Sequence, residues 1–320
     1  MMTGKQKALA IGIFLGVLLF LPPAAQAVNP LQVAILRWYQ ANTFWPWDIT
    51  VGSGPAAAAF DGANMWVANY NSNNITRVRA SDGAVQDTIG SGGQGPLGAA
   101  FDGRSVWVAN SLSNNVCVQG GGVFPATVTV GTGPSAIAFD GGAIWVANSG
   151  SNNVTKVTWK PGGFNTATFA VGNAPYGIAF DGAYIWVTNS GSNSVTKLNR
   201  RGQVLGTFPT GGTTPMGVAF DGRDIWIANY GTNNVSKMSR AGAVIGTFPV
   251  GSGPQGVAFD GAYIWVTNFG SGGGSNTVSK LDLDGVLRAT VTVGSAPKGV
   301  AFDGMKIWVT NWGGNTVSIR

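Results

Sequence analysis

From residue 45 onward the chain consists of short, mostly apolar runs rich in β-branched and aromatic residues, and polar turn residues separate them. Between residues 177 and 210 these runs read GIAF, YIWVTN, SVTKL and VLGTFPT. Runs of this length and composition predict β-strands, and the Gly-, Asn- and Ser-rich segments between them predict turns. The Asp-Gly pair after the first run favours a tight hairpin, so we expect the first two strands to pair antiparallel.

This four-strand unit occurs seven times. Each copy contains a Phe-Asp pair, with a Pro five residues before the Phe, a Trp six residues after the Phe, and an Asn three residues beyond the Trp. Four antiparallel strands in about 40 residues form one blade of a β-propeller. The sequence therefore predicts an all-β, seven-bladed β-propeller over residues 45–320, with blades starting near residues 55, 96, 134, 175, 215, 254 and 297.

The two ends of the repeat region predict how the ring closes. The seventh copy stops at NTVSIR, after its third strand, whereas WPWDITVG at 45–52 resembles a fourth strand such as TVTVG at 290–294. We expect the N-terminal strand 45–52 to complete blade 7, which also removes sheet edges that would otherwise be exposed.

Two residues of the repeat are interpreted as its structural frame. The Trp residues are expected to pack between blades, and the Asp residues to form the hairpin turns, since Asp-Gly suits such turns. A ring of carboxylates could also hold a metal ion, but turn chemistry explains the Asp residues, and no metal or other cofactor is predicted. The frame residues are Asp61, Asp102, Asp140, Asp181, Asp221, Asp260, Asp303, Trp66, Trp107, Trp145, Trp186, Trp226, Trp265 and Trp308.

The segment before the propeller has two predicted parts. Residues 1–27 have the basic start, apolar core and small-residue cleavage site of a signal peptide, and an uncleaved anchor is the alternative. Residues 28–44 are predicted to form a short helix and linker, because Asn29 can cap a helix that begins at Pro30. We expect an exported protein, periplasmic, extracellular or on the cell surface, with no membrane span after signal cleavage.

Composition excludes several functions. All 13 acidic residues are Asp, and neither His nor Glu occurs among the 320 residues, so the usual side chains of metal sites and acid–base catalysis are missing. The formal charge of +6 becomes +4 without Lys5 and Lys7 of the signal, and no basic cluster concentrates it; we therefore expect no nucleic-acid partner. Cys117 is the only cysteine and is interpreted as a small buried apolar residue.

Candidate binding residues are those that change from blade to blade within the constant frame. Directly after the recurrent Asn, four blades that are contiguous in a closed ring carry an aromatic residue: Tyr70, Tyr230, Phe269 and Trp312. Directly after the Pro, near the mouth of the central channel, the most distinctive residues are Tyr176, Met216, Gln255 and Lys298. Aromatic rings beside polar groups suit a neutral polar ligand, a glycan or a peptide or protein segment; the alternative is that these rings only cover neighbouring loops or residues 28–44.

The repeat resembles known propeller families. WVTN at Trp186, Trp265 and Trp308, with SNSVTKL at 192–198, resembles exported propellers built from the YVTN repeat. VGSGPQGVAFDG at 250–261 is similar to NHL-type and virginiamycin B lyase-like propellers. The lyase resemblance implies opening of a cyclic depsipeptide by elimination, with catalytic His and Glu residues near a divalent metal. No catalytic residue can be carried over, since this chain contains neither residue type.

Three functional hypotheses are compatible with these patterns. The leading one is an exported, non-enzymatic binding module for a glycan or a peptide or protein ligand. The alternatives are a lyase or hydrolase related to virginiamycin B lyase-like propellers but lacking their usual His and Glu, and a structural protein of a surface layer or assembly. None of the patterns predicts an oligomeric state.

Overall fold

The computed structural model describes residues 47–120 and 126–320, and the predicted signal peptide 1–27 and helix 28–44 lie outside the described residues. The described chain forms seven four-stranded antiparallel sheets. In chain order the strands begin with β1 (Trp47–Thr50), followed by β2 (Pro55–Phe60), β3 (Asn64–Asn69), β4 (Asn74–Arg79) and β5 (Val85–Gly90) of blade 1, and by β6 (Pro96–Phe101), β7 (Val106–Asn110), β8 (Asn115–Gln119) and β9 (Ala126–Thr129) of blade 2.

The remaining strands follow the same order. Blade 3 contains β10 (Pro134–Phe139), β11 (Ile144–Asn148), β12 (Asn153–Lys160) and β13 (Gly163–Ala170), and blade 4 contains β14 (Pro175–Phe180), β15 (Tyr184–Asn189), β16 (Ser194–Asn199) and β17 (Val204–Pro209). Blade 5 contains β18 (Pro215–Phe220), β19 (Ile225–Asn229), β20 (Asn234–Met238) and β21 (Val244–Pro249). Blade 6 contains β22 (Pro254–Phe259), β23 (Ile264–Asn268), β24 (Thr277–Leu281) and β25 (Leu287–Thr292), with a short 3₁₀ turn at Ser271–Gly273, and blade 7 contains β26 (Pro297–Phe302), β27 (Ile307–Asn311) and β28 (Thr316–Ile319).

The blades close into a ring. In blades 1 to 6 the strands pair in chain order, whereas in blade 7 the order is β26, β27, β28 and then β1. The first strand of every blade contacts the first strands of both neighbouring blades, including β26 of blade 7 with β2 of blade 1. The seven first strands therefore surround a central channel. The predicted all-β, seven-bladed β-propeller is confirmed.

The closing strand is the one that the sequence predicts. Strand β1 pairs antiparallel with β28, with Ile49 opposite Val317 and Thr50 opposite Thr316, and so becomes the fourth strand of blade 7. This strand occupies Trp47–Thr50 within the expected segment 45–52.

The first turn of each blade differs in detail from the two-residue hairpin that Asp-Gly suggests. In blade 1, Phe60 pairs with Met65, so four residues form the loop. Only Gly62 among them has a positive φ, at 98°, while both Ala63 N–H and Asn64 N–H donate to Asp61 Oδ1. The antiparallel pairing of the first two strands is confirmed, and the Asp side chain rather than a mirror-image turn stabilises the loop.

The core lies between blades. Where the ring closes, Met65 and Val67 of blade 1 pack with Trp308 and Val317 of blade 7, and all four are fully buried. Equivalent clusters occur at the other blade junctions. Because burial of such side chains stabilises by about 1.5–3 kcal/mol each, the repeated apolar residues hold neighbouring blades together.

Candidate functional site

Both sets of candidate binding residues lie at one end of the propeller. In blade 1, Pro55 pairs with Asn69, and the corresponding Pro and Asn pair in every other blade. The loops between the second and third strands therefore lie beside the loops between blades. We call this end the loop face; the Asp hairpins lie at the opposite end.

The recurrent Asn residues position the loops of this face. Asn69 is fully buried, and its Nδ2 donates to Asn74 Oδ1 and to Thr76 Oγ1, both at 2.9 Å. A glycine of the preceding inter-blade loop lies directly on this amide, since a Cβ at Gly52 would be 2.7 Å from Asn69 Cγ. The residue after each recurrent Asn therefore occupies an equivalent backbone position in every blade.

The four aromatic residues after these Asn residues form what we call the aromatic arc: Tyr70, Tyr230, Phe269 and Trp312. All four are half-buried. Tyr70 of blade 1 and Trp312 of blade 7 contact each other across the ring closure, with their ring centroids 5.2 Å apart. The Tyr230 ring lies against Gly253, where a Cβ would meet it at 3.0 Å.

Three blades carry Ser instead of an aromatic residue at this position. Ser149 Oγ donates to Gly133 O, and Ser190 Oγ donates to Ala174 O, each at 2.8 Å. These serines bond to the loop before their own blade. The same backbone position therefore accepts either a small polar side chain or a large ring.

Residues after the Pro surround the mouth of the channel. The channel has a cavity of about 190 Å³ next to the loop face, and Tyr176, Gln255 and Lys298 line it. Met216, expected among them, does not line this cavity, whereas the neighbouring Gly217 and Val218 do. Several water molecules or one small chemical group can occupy a cavity of this size.

The polar groups at the channel mouth are in unusual environments. Burial lowers the pKa of Lys298 to about 8 and raises the pKa of Tyr176 to about 12. Gln255 is only 8% exposed, and no group in the described part of the chain donates a hydrogen bond to its Oε1. Desolvation disfavours the charged form of each titratable group, which explains both pKa shifts.

One contact joins the channel mouth to the aromatic arc. The Lys298 ammonium nitrogen lies 3.8 Å from the centroid of the Trp312 ring. With the Trp312–Tyr70 contact, this makes Lys298, Trp312 and Tyr70 a continuous group across blades 7 and 1. The structure does not bring Tyr176 of blade 4 into this group.

The frame residues form a separate set at the other end of the propeller. In all seven blades an Asp Oδ2 accepts a hydrogen bond from the indole N–H of the Trp five residues later, at 2.7–2.9 Å. Sequence reasoning missed this bond, although the constant spacing of Asp and Trp contained the signal. Within residues 47–120 and 126–320, no three His, Cys, Asp or Glu side chains come together as a metal site would need.

No helix in the described part of the chain has the length and apolar character required to cross a membrane.

Comparisons with known proteins show similarity in structure rather than in sequence. No protein-family model matches the chain, and no curated protein matches it in sequence. Among solved structures, a streptogramin B lyase has a TM-score of 0.73 at 15% identity, covering 86% of this chain and 97% of the other. A catalytically inactive virginiamycin B lyase from Staphylococcus aureus, solved with quinupristin, has a TM-score of 0.73 at 17% identity, covering 86% and 98%.

A third similar structure is not described as a lyase. The hydrazine synthase of Kuenenia stuttgartiensis has a TM-score of 0.71 at 21% identity, covering 85% of this chain and 96% of the other. At these identities the likeness shows the fold alone. The resemblance to virginiamycin B lyase-like propellers is thus confirmed as a resemblance of fold.

Proposed function

We propose that this chain is an exported recognition module that binds a polar chain of low charge, a glycan or a peptide, on the loop face and does not transform it. The aromatic arc is the contact surface in this proposal. Aromatic rings that are half-exposed beside polar groups provide large contact areas at a small cost in side-chain entropy.

The observation that carries the proposal is the exchange of Ser for aromatic residues at one constant position. Ser149 and Ser190 show that the fold is complete with a small side chain after the recurrent Asn. The rings of the aromatic arc are therefore additions to the frame rather than requirements of it. Their restriction to blades 5, 6, 7 and 1 makes one side of the loop face different from the other.

The charge of the loop face supports the choice of ligand. None of the inter-blade loops, nor the loops between second and third strands, contains an Asp, Lys or Arg residue. A face without charged loops suits hydroxyl and amide groups better than a highly charged polymer. The longer loop of blade 6, which includes the turn Ser271–Gly273, adds further backbone amides beside Phe269.

The residue types of the chain support a binding function over the chemistry of the similar lyases. The sequence contains no His and no Glu. Seven of its 13 Asp residues are bonded to Trp indoles at the opposite end of the propeller.

The test compares the purified protein with a variant in which the arc is replaced by the residue that other blades use. Tyr230→Ser, Phe269→Ser and Trp312→Ser are combined, and binding to glycan and peptide arrays is measured. We expect the wild type to bind a subset of probes and the variant to lose at least about tenfold in affinity, as removal of aromatic anchors does elsewhere. A Ser149→Ala, Ser190→Ala variant, altered on the other side of the face, is the matched control.

Two outcomes would contradict the proposal. One is equal binding by the wild type and the triple variant, or no binding by the wild type to either array. The other is turnover of a cyclic depsipeptide or a lactone by the purified protein, which would establish an enzyme instead.

A further inference from the structure

The channel mouth carries a cation without an anionic partner. Lys298 lines the cavity next to the loop face. Among the described residues its ammonium group has no ion pair with any Asp, and its recorded partner is the ring of Trp312. Since the surrounding loops contain no charged residue, the positive charge of Lys298 dominates this end of the channel.

This environment favours the approach of an anion. Burial lowers the pKa of Lys298 to about 8, so the amine is still mostly protonated at neutral pH but incompletely solvated. Its contact with the Trp312 ring compensates only part of the lost solvation, because a cation–π contact is weaker than the hydration of an ammonium group. A carboxylate beside this group would form a charge-assisted hydrogen bond in a partly desolvated site.

The neighbouring blade supplies an unsatisfied acceptor. Gln255 follows the Pro of blade 6 as Lys298 follows the Pro of blade 7, and both side chains line the same cavity. Gln255 is 8% exposed, and within residues 47–120 and 126–320 its buried Oε1 accepts no hydrogen bond. An unpaired buried acceptor carries a desolvation penalty, so an N–H group placed here would remove that penalty.

We propose that the channel mouth binds the C-terminal residue of an extended peptide, with the terminal carboxylate on Lys298 and the last amide N–H donating to Gln255 Oε1. This inference rests on the proposed binding function and chooses the ligand class within it. The residues before the terminus would leave the channel over Trp312, the first ring of the aromatic arc next to Lys298. A neutral glycan supplies no anionic group for Lys298, whereas a peptide terminus supplies a carboxylate and an amide N–H side by side.

The experiment uses small probes that carry these groups separately. N-acetylglycine has both the carboxylate and the amide N–H, N-acetylglycinamide lacks the charge, and acetate lacks the N–H. Binding to the purified full-length mature protein is followed by NMR of labelled lysine side chains, with the Lys298 signal assigned from a Lys298→Met variant. We expect N-acetylglycine to bind at least about tenfold more tightly than either other probe, as expected when a charged partner or a buried hydrogen bond is lost. Bound carboxylate should also raise the pKa of Lys298 above its value of about 8.

Matched variants come from the other blades. Lys298→Met introduces the residue that blade 5 has at this position, Met216, and should reduce N-acetylglycine binding to the level of the amide. Gln255→Leu introduces the residue of blade 2, Leu97, and should reduce it to the level of acetate. Lys280→Met is the control, because Lys280 also lies over aromatic rings, those of Tyr263 and Trp265, but does not line the channel cavity.

The outcomes separate this inference from the proposed function. Equal affinity for N-acetylglycine and its amide, or unchanged binding by Lys298→Met, overturns the inference; so does tighter binding of glucuronic acid, which would assign the site to an acidic sugar. A Tyr230→Ser, Phe269→Ser double variant of the aromatic arc, which keeps the Trp312 ring beside Lys298, should retain N-acetylglycine binding, because this probe is too small to reach the rings of blades 5 and 6. If the Lys298→Met variant still binds its array ligands, the proposed function is supported and the inference about the channel mouth is wrong. If the protein binds N-acetylglycine but no glycan or peptide on the arrays, the channel-mouth site is supported and the proposed function is wrong.

Discussion

Asp140 combines a turn, a tryptophan anchor and a link between blades in one carboxylate. Its Oδ1 accepts from Gly142 N–H and Ala143 N–H, while its Oδ2 accepts from the Trp145 indole at 2.9 Å and from Arg200 of blade 4 at 3.3 Å. Burial raises the pKa of Asp140, but these hydrogen bonds outweigh burial and hold the pKa below its ordinary value. The carboxylate therefore stabilises the fold above the pKa of the unfolded state, and this stabilisation is lost as the pH falls through the folded pKa.

Replacing this carboxylate should destabilise the protein in a pH-dependent way. We expect Asp140→Ala to lower the free energy of unfolding by about 3 kcal/mol at pH 7, because two buried donors, the Ala143 N–H and the Trp145 indole N–H, lose their acceptor. The difference from wild type should shrink at pH 3, where protonation weakens the same interactions in the wild type. Thermal unfolding followed by circular dichroism at both pH values measures this. Asp82→Ala, which removes an exposed ion pair with Arg79, should change stability by less than about 1 kcal/mol, and an equal loss in both variants would contradict the prediction.

The residue scale shows what the sequence could and could not predict about individual contacts. The Asp–Trp bond occurs at the same spacing in every blade, and a buried indole N–H needs an acceptor, so it was predictable in principle. The contact of Lys298 with Trp312 occurs once, between residues of two different loops. This contact arises because the first and second strands of blade 7 bring Pro297 opposite Asn311, which places the residues that follow them side by side. Sequence periodicity predicts the strands but not the contacts of individual loop side chains.

At the scale of elements, the hairpin β12–β13 departs from its counterparts in the other blades. Both of its strands have eight residues, and its tip carries Trp159 and Phe164, whose ring centroids lie 5.8 and 5.4 Å from that of Trp107 in blade 2. In blades 3, 4 and 5 a Phe from the fourth strand of the same blade contacts the frame Trp. Blade 2 has Val128 at the corresponding register position, so the long hairpin of blade 3 covers Trp107 instead.

Shortening one side chain of this hairpin should therefore affect blade 2. We expect Phe164→Ala to lower the free energy of unfolding by about 2 kcal/mol, less than for a fully buried Phe, and to increase the exposure of Trp107, which is 1% exposed in the intact protein. Denaturant unfolding and hydrogen exchange of the Trp107 indole measure the two effects. Met305→Ala, at a side chain that is 60% exposed, is the control and should be nearly neutral. Unchanged indole exchange in Phe164→Ala would show that the hairpin does not protect blade 2.

The sequence indicates this hairpin only in part. Its strands were expected from the repeat, but the additional residues Trp159 to Phe164 fall where length varies between blades, so they resemble an ordinary longer turn. Cross-blade packing depends on the angle between neighbouring sheets, which strand periodicity does not contain.

At the scale of the whole molecule, side chains link successive blades around the ring. Lys197 Nζ of blade 4 donates a hydrogen bond to Arg240 O of blade 5 at 2.7 Å, and Arg240 Nε donates one to Asp181 Oδ2 of blade 4 at 3.0 Å. Blade 7 is joined to blade 1 in another way, because β1 pairs within blade 7 and the chain then continues directly into β2 of blade 1. The number of strands and their order predict this closure, so the fold could be predicted from the sequence. The ligand could not, because its recognition depends on contacts of individual side chains that the repeat does not contain.

Removing the closing strand should destabilise the ring. We compare a chain that starts at residue 52 with one that starts at residue 46. Without β1, the edge of β28 is exposed and Ile49 and Val51 no longer pack on the cluster between blades 7 and 1. Because both side chains are only partly buried, their loss corresponds to about 2–3 kcal/mol, which should lower the melting temperature by about 5–10 °C for a protein of this size.

The exposed edge gives this prediction a second measurement. Because an unpaired strand edge is a template for pairing with other chains, the shorter chain should self-associate in a concentration-dependent manner, as seen by light scattering, while the longer chain should not. An excess of a synthetic peptide with the sequence of residues 46–53 should bind at β28, raise the melting temperature and suppress association. A shorter chain that melts at the same temperature as the longer one and remains monomeric would show that contacts between the first strands and between blades hold the ring closed without β1.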